Sequence, residues 1–396
     1  MKKTLSIRLC CVFLLLVTVA AQAQVNSGSN GSDGAFNPTT NTLINMADHP
    51  DGIYHYTSVN IPSGVTVTFI PNANNTPVVW LVQSNVVISG TVNVSGQGGI
   101  GSQAGQGGPG GFRGGNGGFA GGGGFGPGGG LAEAAIGGGG SFGTAASIWQ
   151  SPNYVIDPRG GQIYGNQYLL PLIGGSGGGG ATNYPGGGGG GGGAIQIASS
   201  HSIDLSGVIY SRGGVGAATT FGFGAQAGGG SGGGVRLVSS MLTGGGGIEA
   251  GGGGGYGMGG NGRVRIDVLE NTFSGGITGH MTQGFQPVII PTVGQGAQLT
   301  VTSVGGVPVS ASPTGALSTP DAVLSAQQNN PISIVVRCAN IPLNTQITVS
   351  VKPVNGPAVS ATGFNNTGTL ASSTATVSIN MPRGGGLIYA TAAIGN

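Results

Sequence analysis

The stretch GGGGGGGGAIQIASSHSIDLSGVIYSRGG, residues 186–214, joins eight consecutive glycines to a run of alternating apolar residues. Glycine loses more backbone freedom on folding than any other residue, so an ordered glycine run must gain contacts that offset this cost. The part that follows reads as short strands, because Ile, Leu and Val alternate with small or polar residues. The stretch therefore predicts a β structure into which a long glycine segment leads.

Four segments of the chain align with the strand part of this stretch. Each begins with an apolar-x-apolar strand and continues to a small or glycine pair, and a further short strand follows. The copies start at Val79, Ile195, Val235 and Val264, and their pairs are Ser89-Gly90, Ser206-Gly207, Gly246-Gly247 and Gly275-Gly276, the first being one residue closer to its start than the others. A unit of about twenty residues cannot bury its own apolar face, whereas stacked copies share one core. We therefore expect an all-β chain that forms a parallel β-solenoid over residues 24–282.

Glycine is concentrated in the middle of the chain, where residues 96–262 hold 68 of the 90 glycines. The glycine-rich insertions, about 97–193, 215–234 and 252–262, leave the repeats from equivalent places, so stacking brings them side by side. Many read Gly-Gly-X. The three-residue period of polyproline II, with no Cβ atoms in the way, lets such chains hydrogen-bond to one another. Flexible linkers are the alternative. We expect ordered, polyproline-II-like packing because aromatic residues recur in and beside the runs: Phe112, Phe119, Phe125, Tyr184, Phe221, Phe223 and Tyr256.

The N-terminal residues are typical of a secretory precursor. A basic stretch, the apolar run Leu9–Val19 and the small-residue site Ala21-Gln22-Ala23 indicate a Sec-type signal peptide over residues 1–23. The apolar run is too short for a transmembrane helix, and no later run is long enough for one. We expect an exported chain without a transmembrane segment, located outside the cell or on a bacterial cell surface.

Residues 283–396 have ordinary glycine content and are rich in Val, Ile, Thr and Ser. Six short strand candidates with turn residues between them predict an immunoglobulin- or fibronectin-like β-sandwich. The Cys–Trp–Cys pattern of true immunoglobulin domains is missing, so the prediction concerns the architecture alone. Cys338 falls on one strand face with Ile332, Ile334 and Val336, which predicts a buried, inert thiol.

The segments IPSGVTVTFIPN, YGNQYLLPLIGGSGGGG, GGGGGGGGAIQIASSHSIDLSG and GGNGRVRIDV together resemble a class of secreted, glycine-rich bacterial proteins with polyglycine insertions. The resemblance covers residues 50–280 or so. It implies a parallel β-solenoid fold and a structural role outside the cell or at its surface, adhesion included. It implies no catalytic or cofactor-binding residue.

Charge and motifs exclude several classes of function. The chain has 12 Lys and Arg against 10 Asp and Glu, and so few charges argue against nucleic-acid binding, which needs clustered basic residues. The nucleophile pattern G-x-S-x-G occurs around Ser141, Ser176 and Ser231, but none of these lies in a strand-to-helix context. Glycine richness alone produces such matches. We expect no catalytic serine and no cofactor.

The densest polar cluster is MADHPDGIYHY, residues 46–56. Asp48, His49, Asp51 and His55 offer two imidazoles and two carboxylates, which is a donor set for a metal ion. The alternative is a turn, His49-Pro50-Asp51-Gly52, that enters a strand. We favour the turn and predict no metal site.

Two further functions remain as alternatives. A polysaccharide-cleaving β-helix enzyme needs paired acids or a base with cations. Its candidates are Asp204, Asp267, Glu249, Arg212, Arg236, Arg263 and Arg265. Asp204 and Asp267 alternate out of apolar strands, which predicts outward, solvated carboxylates and no catalysis. An ice-binding protein needs a row of evenly spaced threonines. At the corresponding positions these repeats carry Ser, Asp, Arg and Glu.

The function that we expect is therefore structural or adhesive. The partners are glycans, a cell surface or copies of the chain itself, and no enzymatic activity is predicted. Aromatic side chains on the glycine segments would provide the contact surface, because their faces stack on sugar rings.

Overall fold

The computed structural model describes residues 25–118, 122–133, 136–150, 153–181, 186–218, 227–285, 298–309, 313, 320–353 and 359–392. Within these ranges the chain forms strands, turns and one short 3-10 helix, Met46–Asp48, and no α-helix. The strands are β1 (Gly34–Phe36), β2 (Thr42–Asn45), β3 (Ile53–Ile61), β4 (Thr66–Ile70), β5 (Val78–Val82), β6 (Val86–Ile88), β7 (Thr91–Asn93), β8 (Ser147–Gln150), β9 (Asn153–Ile156), β10 (Ala194–Ser199), β11 (Ser202–Leu205), β12 (Val208–Tyr210), β13 (Gly234–Thr243), β14 (Gly247–Glu249), β15 (Gly257–Met258), β16 (Arg263–Asn271), β17 (Gly276–Thr278), β18 (His280–Gly284), β19 (Gln298–Val304), β20 (Val307–Pro308), β21 (Ile332–Ala339), β22 (Gln346–Pro353), β23 (Val359–Phe364), β24 (Thr367–Gly368), β25 (Ser373–Ile379) and β26 (Gly386–Ala392).

Two parallel sheets contain the predicted repeats. One has nine strands, β1, β3, β5, β6, β10, β11, β13, β16 and β18, and the other has six, β2, β4, β7, β12, β14 and β17. Every strand pair in both sheets is parallel. The prediction of an all-β chain with parallel strands is confirmed.

Equivalent residues of successive repeats lie directly opposite one another in the nine-stranded sheet. One row consists of Val78, Ile195, Val235 and Val264, and the next consists of Trp80, Ile197, Leu237 and Ile266. All eight are fully buried. They share one apolar cluster with residues of the six-stranded sheet: Val67, Val92, Ile209 and Ile248. Stacking thus buries the apolar face that a single repeat leaves open.

The first repeat begins at Val78, one residue earlier than the sequence alignment placed it. Ile195 pairs with Val78, and from Val78 the pair Ser89-Gly90 follows at the same spacing as in the other copies. The strand Val78–Val82 is apolar and buried at all five positions. Alternation therefore cannot show which of its residues face the core. In the structure Trp80 points into the core and is fully buried.

The repeated glycine of each corner is required by the stacking. A Cβ at Gly207 would lie closer than 3 Å to the carbonyl oxygen of Gly90. The same close approach links Gly246 to Gly207 and Gly275 to Gly246. Only a residue without a side chain fits this column. The glycine of the column is the second residue of the pair in the first two copies, Gly90 and Gly207, and the first residue of the pair in the other two, Gly246 and Gly275, so the sequence alignment of the pairs is one residue out between these copies.

The outer face of the nine-stranded sheet is also covered. Val79, Leu81, Ala198 and Val238 point away from the central core and pack against residues that precede β10 in the chain. These covering residues are Val25, Phe142, Tyr164, Leu169, Leu172 and Ile173. Both faces of this sheet are therefore in contact with protein over much of the repeat region.

The C-terminal part contains two antiparallel sheets. One has five strands, β19, β20, β21, β24 and β25, and the other has three, β22, β23 and β26. Their inward residues form a second apolar cluster that includes Ile334, Val336, Val349 and Val377. Cys338 belongs to this cluster as a fully buried free cysteine, and burial raises the pKa of its thiol.

The proposed signal peptide, residues 1–23, lies outside the described residues. Among the helices of the described part, none combines the length and the apolar character that crossing a bilayer requires.

Candidate functional site

The eight-glycine run is ordered by hydrogen bonds from its own backbone. Each N–H from Gly187 to Gly193 donates to a carbonyl oxygen of a distant segment, over N···O distances of 2.7 to 2.9 Å. The acceptors are Gly101, Gly115, Gly228, Gln97, Phe112, Ser231 and Val94, in that order. Every residue of the run is buried, so these bonds satisfy amides that water does not reach.

The partners of the run repeat every three residues. The N–H groups of Gly187, Gly190 and Gly193 all point to segment 94–101. Those of Gly188 and Gly191 point to segment 112–115, and those of Gly189 and Gly192 point to segment 228–231.

Three further chain segments lie close to the Cα atoms of the run. A Cβ built on Gly187, Gly190 or Gly193 would meet segment 103–109 closer than 3 Å. From Gly188 and Gly191 it would meet segment 175–178, and from Gly189 and Gly192 segment 211–214, again closer than 3 Å. The run is therefore surrounded by six chain segments that approach its backbone. We call residues 94–118, 174–181, 186–193, 211–217 and 227–233 the glycine bundle.

These bonds predict slow hydrogen exchange along the run. The amides of Gly187–Gly193 should exchange several orders of magnitude more slowly in the native protein than in denaturant, because each must open a buried hydrogen bond first. Mass spectrometry of the peptide that covers this segment measures both rates. Exchange at the denatured rate would contradict the bundle.

The glycine segments reach a common end away from β10. There the N–H of Gly187 donates to Gly101, that of Ala217 to Gly187, and that of Gly118 to Ala181. The chain turns back on itself close by, where Ile100 and Gln103 form an isolated antiparallel bridge. Ile100 is 79% exposed at this turn, so this end of the bundle presents an apolar side chain to the solvent.

The three serines of the G-x-S-x-G matches are fully buried in or beside the bundle. The Ser231 hydroxyl accepts from the Ser176 N–H at 2.8 Å, and the Ser231 N–H donates to the Ser176 carbonyl at 2.8 Å. The Ser141 hydroxyl accepts from the Ala146 N–H at 2.9 Å. The Ser176 hydroxyl accepts from the Gly128 N–H at 3.0 Å, so each of the three hydroxyls bonds to the backbone within the packing.

The predicted surface aromatics fall into three groups. Tyr256 is 44% exposed, whereas Phe125 is only 8% exposed and lies 4.1 Å from the Arg113 guanidinium. Phe112 is partly buried. The remaining four, Phe119, Tyr184, Phe221 and Phe223, lie outside the described residues. Phe125 is therefore unsuited to contact a sugar, and Tyr256 is the candidate that faces the solvent.

The four metal candidates occupy a turn and the strand after it. Asp51 accepts from the Ile53 N–H at 3.0 Å, and the His55 Nδ1 accepts from a backbone N–H. The His49 ring lies 4.2 Å from the Tyr54 ring, tilted by 37°, and His49 Nε2 lies 3.7 Å from Asp33 Oδ1. Asp48 ends the 3-10 helix. Within the described residues no group of three His, Cys, Asp or Glu side chains has the arrangement of a metal site.

The prediction that Asp267 is outward and solvated is wrong in its second half. Asp267 lies on the outer face of β16 but is 1% exposed. It is paired with Val238, which the segment around residues 164–173 covers, and Tyr168 of that segment lies 5.3 Å from the Arg265 guanidinium. Its Oδ2 accepts from Arg236 Nη2 at 2.8 Å, and its Oδ1 accepts from Arg265 Nε at 2.8 Å. Arg236 also donates to Gln196 Oε1 at 2.9 Å. Burial lowers the pKa of Arg236, and the Asp267 carboxylate opposes that shift.

The other enzyme candidates make different contacts. Asp204 is partly exposed on β11. Arg212 pairs with Glu249 at the surface, with half of the Arg212 side chain exposed. Arg263 donates to the Tyr164 carbonyl oxygen at 2.9 and 3.1 Å. The structure thus places Asp267 with Arg236 and Arg265 in a buried ion-pair network.

One surface feature was missed in the sequence. Strands β8, β9 and β15 form a small antiparallel sheet beside the bundle, in the order β15-β8-β9. The signal for its hairpin was present, because the four-residue strands SIWQ and NYVI flank Ser-Pro. All four residues of β9 are exposed.

Comparison of the chain with known proteins gives no relative: no protein-family model, no curated protein and no solved structure matches it.

Proposed function

We propose that the protein is a secreted or cell-surface structural and adhesive protein that contacts glycans, surfaces or copies of itself. The observation that carries this proposal is the packing of the eight-glycine run among six neighbouring segments. Such packing makes a rigid body from glycine residues, which have no side chains to take part in a reaction. A rigid body with a defined outer surface suits a structural or adhesive role.

We propose further that residues 24–282 form a parallel β-solenoid with polyproline-II-like insertions. The support is the in-register parallel pairing of four repeats and the three-residue period of the bundle. For residues 283–396 we propose an immunoglobulin- or fibronectin-like sandwich, supported by two antiparallel sheets with a common core. Export is proposed from the signal-peptide pattern alone.

Binding at micromolar concentration tests the adhesive role. The purified protein should bind at least one of three targets: intact bacterial cells, immobilised glycans or itself in analytical ultracentrifugation. A Gly189→Ala variant, which disturbs the bundle, should lose this binding, and Gly254→Ala should keep it, because a Cβ there has room, 3.8 Å from Val215 Cγ1. Absence of binding to all three targets would refute the proposal.

A further inference from the structure

The two parallel sheets end in strands that pair on one side. In the nine-stranded sheet these strands are β1, which pairs with β3, and β18, which pairs with β16. In the six-stranded sheet they are β2 and β17. Within the described residues no strand pairs with the outer side of any of these four. We call β1 and β2 the head end of the stacked repeats, and β17 and β18 the tail end.

The tail end directs backbone groups and an apolar side chain outward. The His280 N–H donates to the Gly262 carbonyl oxygen at 2.8 Å, which is the side of β16. Because the backbone groups of successive strand residues point to opposite sides, Met281 and Gln283 direct theirs away from β16. Met281 also lies opposite the fully buried Val264 and continues its row, yet it is 41% exposed. The tail end thus ends the core in a residue that the solvent reaches.

The head end has the same character. Phe36 of β1 lies opposite Val59, which is buried in the central core. Phe36 packs against that core and is itself only partly buried. The outermost strand at each end of the nine-stranded sheet therefore carries one apolar residue that the core leaves half covered. A methionine and a phenylalanine suit one another in such a contact, because a thioether sulfur packs well against an aromatic ring.

Neither end carries the charges that protect an exposed strand edge. Residues 34–45, from β1 through β2, contain no Asp, Glu, Lys or Arg, and the same is true of residues 273–285, which include β17 and β18. Charged side chains and prolines on an edge strand are the usual protection against pairing with another chain. Stacked-repeat proteins likewise need terminal repeats with a polar outer face to stay soluble as single molecules. Both ends of this stack are therefore open to strand pairing without charge repulsion.

We infer that the tail end of one molecule pairs with the head end of a second copy. The inference rests on the proposed function and specifies the contact by which copies associate. β1 of the second copy lies beside β18 and continues the nine-stranded sheet in the parallel direction of every pair inside it. The head end supplies what the tail end lacks: a strand, an apolar residue for Met281 and no opposing charge. Since the two surfaces differ, each added copy presents a new tail end, and the assembly grows as an open filament.

Sedimentation and electron microscopy of the purified full chain test this arrangement. With rising concentration we expect a continuous series of oligomers and then unbranched filaments. Gln283→Pro removes an outward N–H and leaves the bonds to β16, so it should weaken the association by about tenfold or more. Met281→Lys adds a charge to the same edge and should act in the same direction. Gln283→Ser keeps the N–H and is the matched control, which should assemble as the native protein does.

A mixture of the native protein with a small amount of Gln283→Pro distinguishes head-to-tail pairing from other modes. The variant should shorten native filaments, because it adds through its intact head end and then stops growth. Assembly that ends at a dimer, or equal assembly by the native protein and both edge variants, would overturn the inference. So would a native protein that stays monomeric. If that monomer binds cells or glycans, the inference fails alone, and if it binds nothing, the proposed function fails as well.

Discussion

An alanine at Gly189 is expected to destabilise the repeat region by about 3 kcal/mol or more. Gly189 sits at the centre of the glycine bundle, where a Cβ would lie closer than 3 Å to the carbonyl oxygen of Gly214. The obstacle is backbone on a neighbouring segment, and that segment is itself hydrogen-bonded, with the Gly214 N–H donating to Gly190. No side-chain rotation relieves the contact, so the segments must separate and lose buried bonds.

Gly253 and Gly254 provide a matched pair of adjacent residues. A Cβ on Gly253 would meet the Gly214 carbonyl oxygen closer than 3 Å, whereas on Gly254 its nearest neighbour is Val215 Cγ1 at 3.8 Å. Gly253→Ala should therefore destabilise the protein as Gly189→Ala does. Gly254→Ala should be neutral or stabilise it by about 0.5 kcal/mol, because alanine restricts the unfolded chain.

Urea unfolding followed by tryptophan fluorescence measures these differences. Both tryptophans, Trp80 and Trp149, precede the C-terminal sheets, so the signal reports the repeat region. Equal midpoints for Gly253→Ala and Gly254→Ala would contradict the packing derived for the bundle, because only one of the two added methyl groups has space.

The strand repeats could be predicted because their side chains carry a pattern. Ile195 and Ile197 alternate with small or polar residues, and the alternation states which face is buried. Where every residue is apolar, as in Val78–Val82, no alternation shows which residues face the core. The predicted start of the first repeat is therefore one residue too late. Contact on both faces of the strand is the physical reason, and it depends on residues far away in the chain.

The glycine run shows the opposite limit. Its sequence carries no side-chain information, so nothing in it selects segment 94–101 over segment 228–231 as a partner. What could be predicted was the possibility that amides of such runs bond one another, since no Cβ keeps the backbones apart. Which six segments surround the run is decided by the positions of the repeats from which those segments extend.

The candidate site was predictable only in its local parts. The hairpin of β8 and β9 has a recognisable sequence, but the position of β15 beside it depends on a strand pairing across about a hundred residues. Asp267 illustrates the same limit. Alternation in β16 places Asp267 on the correct face of the strand. The sequence of β16 does not show that the segment around residues 164–173 covers that face.

Replacing Asp267 by alanine is expected to destabilise the protein by about 3–5 kcal/mol. Its carboxylate is the common acceptor for Arg236 and Arg265, and the side chains of all three residues are nearly inaccessible to solvent. Removal leaves two buried guanidinium groups without the carboxylate that accepts their hydrogen bonds. Urea unfolding by the same tryptophan signal measures the loss. Asp267→Asn keeps the shape and isolates the contribution of the charge.

Glu249→Gln is the control for the ion pair itself. Glu249 pairs with Arg212, whose side chain is half exposed, and an exposed pair contributes no more than about 1 kcal/mol. Added salt should shrink the effect of Glu249→Gln and leave that of Asp267→Ala nearly unchanged, because ions in solution screen exposed charges but not buried ones. If Asp267 were solvated, as its strand position alone suggests, its removal would cost no more than that of Glu249. A difference of several kcal/mol between the two variants would therefore assign Asp267 to the interior of the fold, as the anchor of the outer face of the sheet.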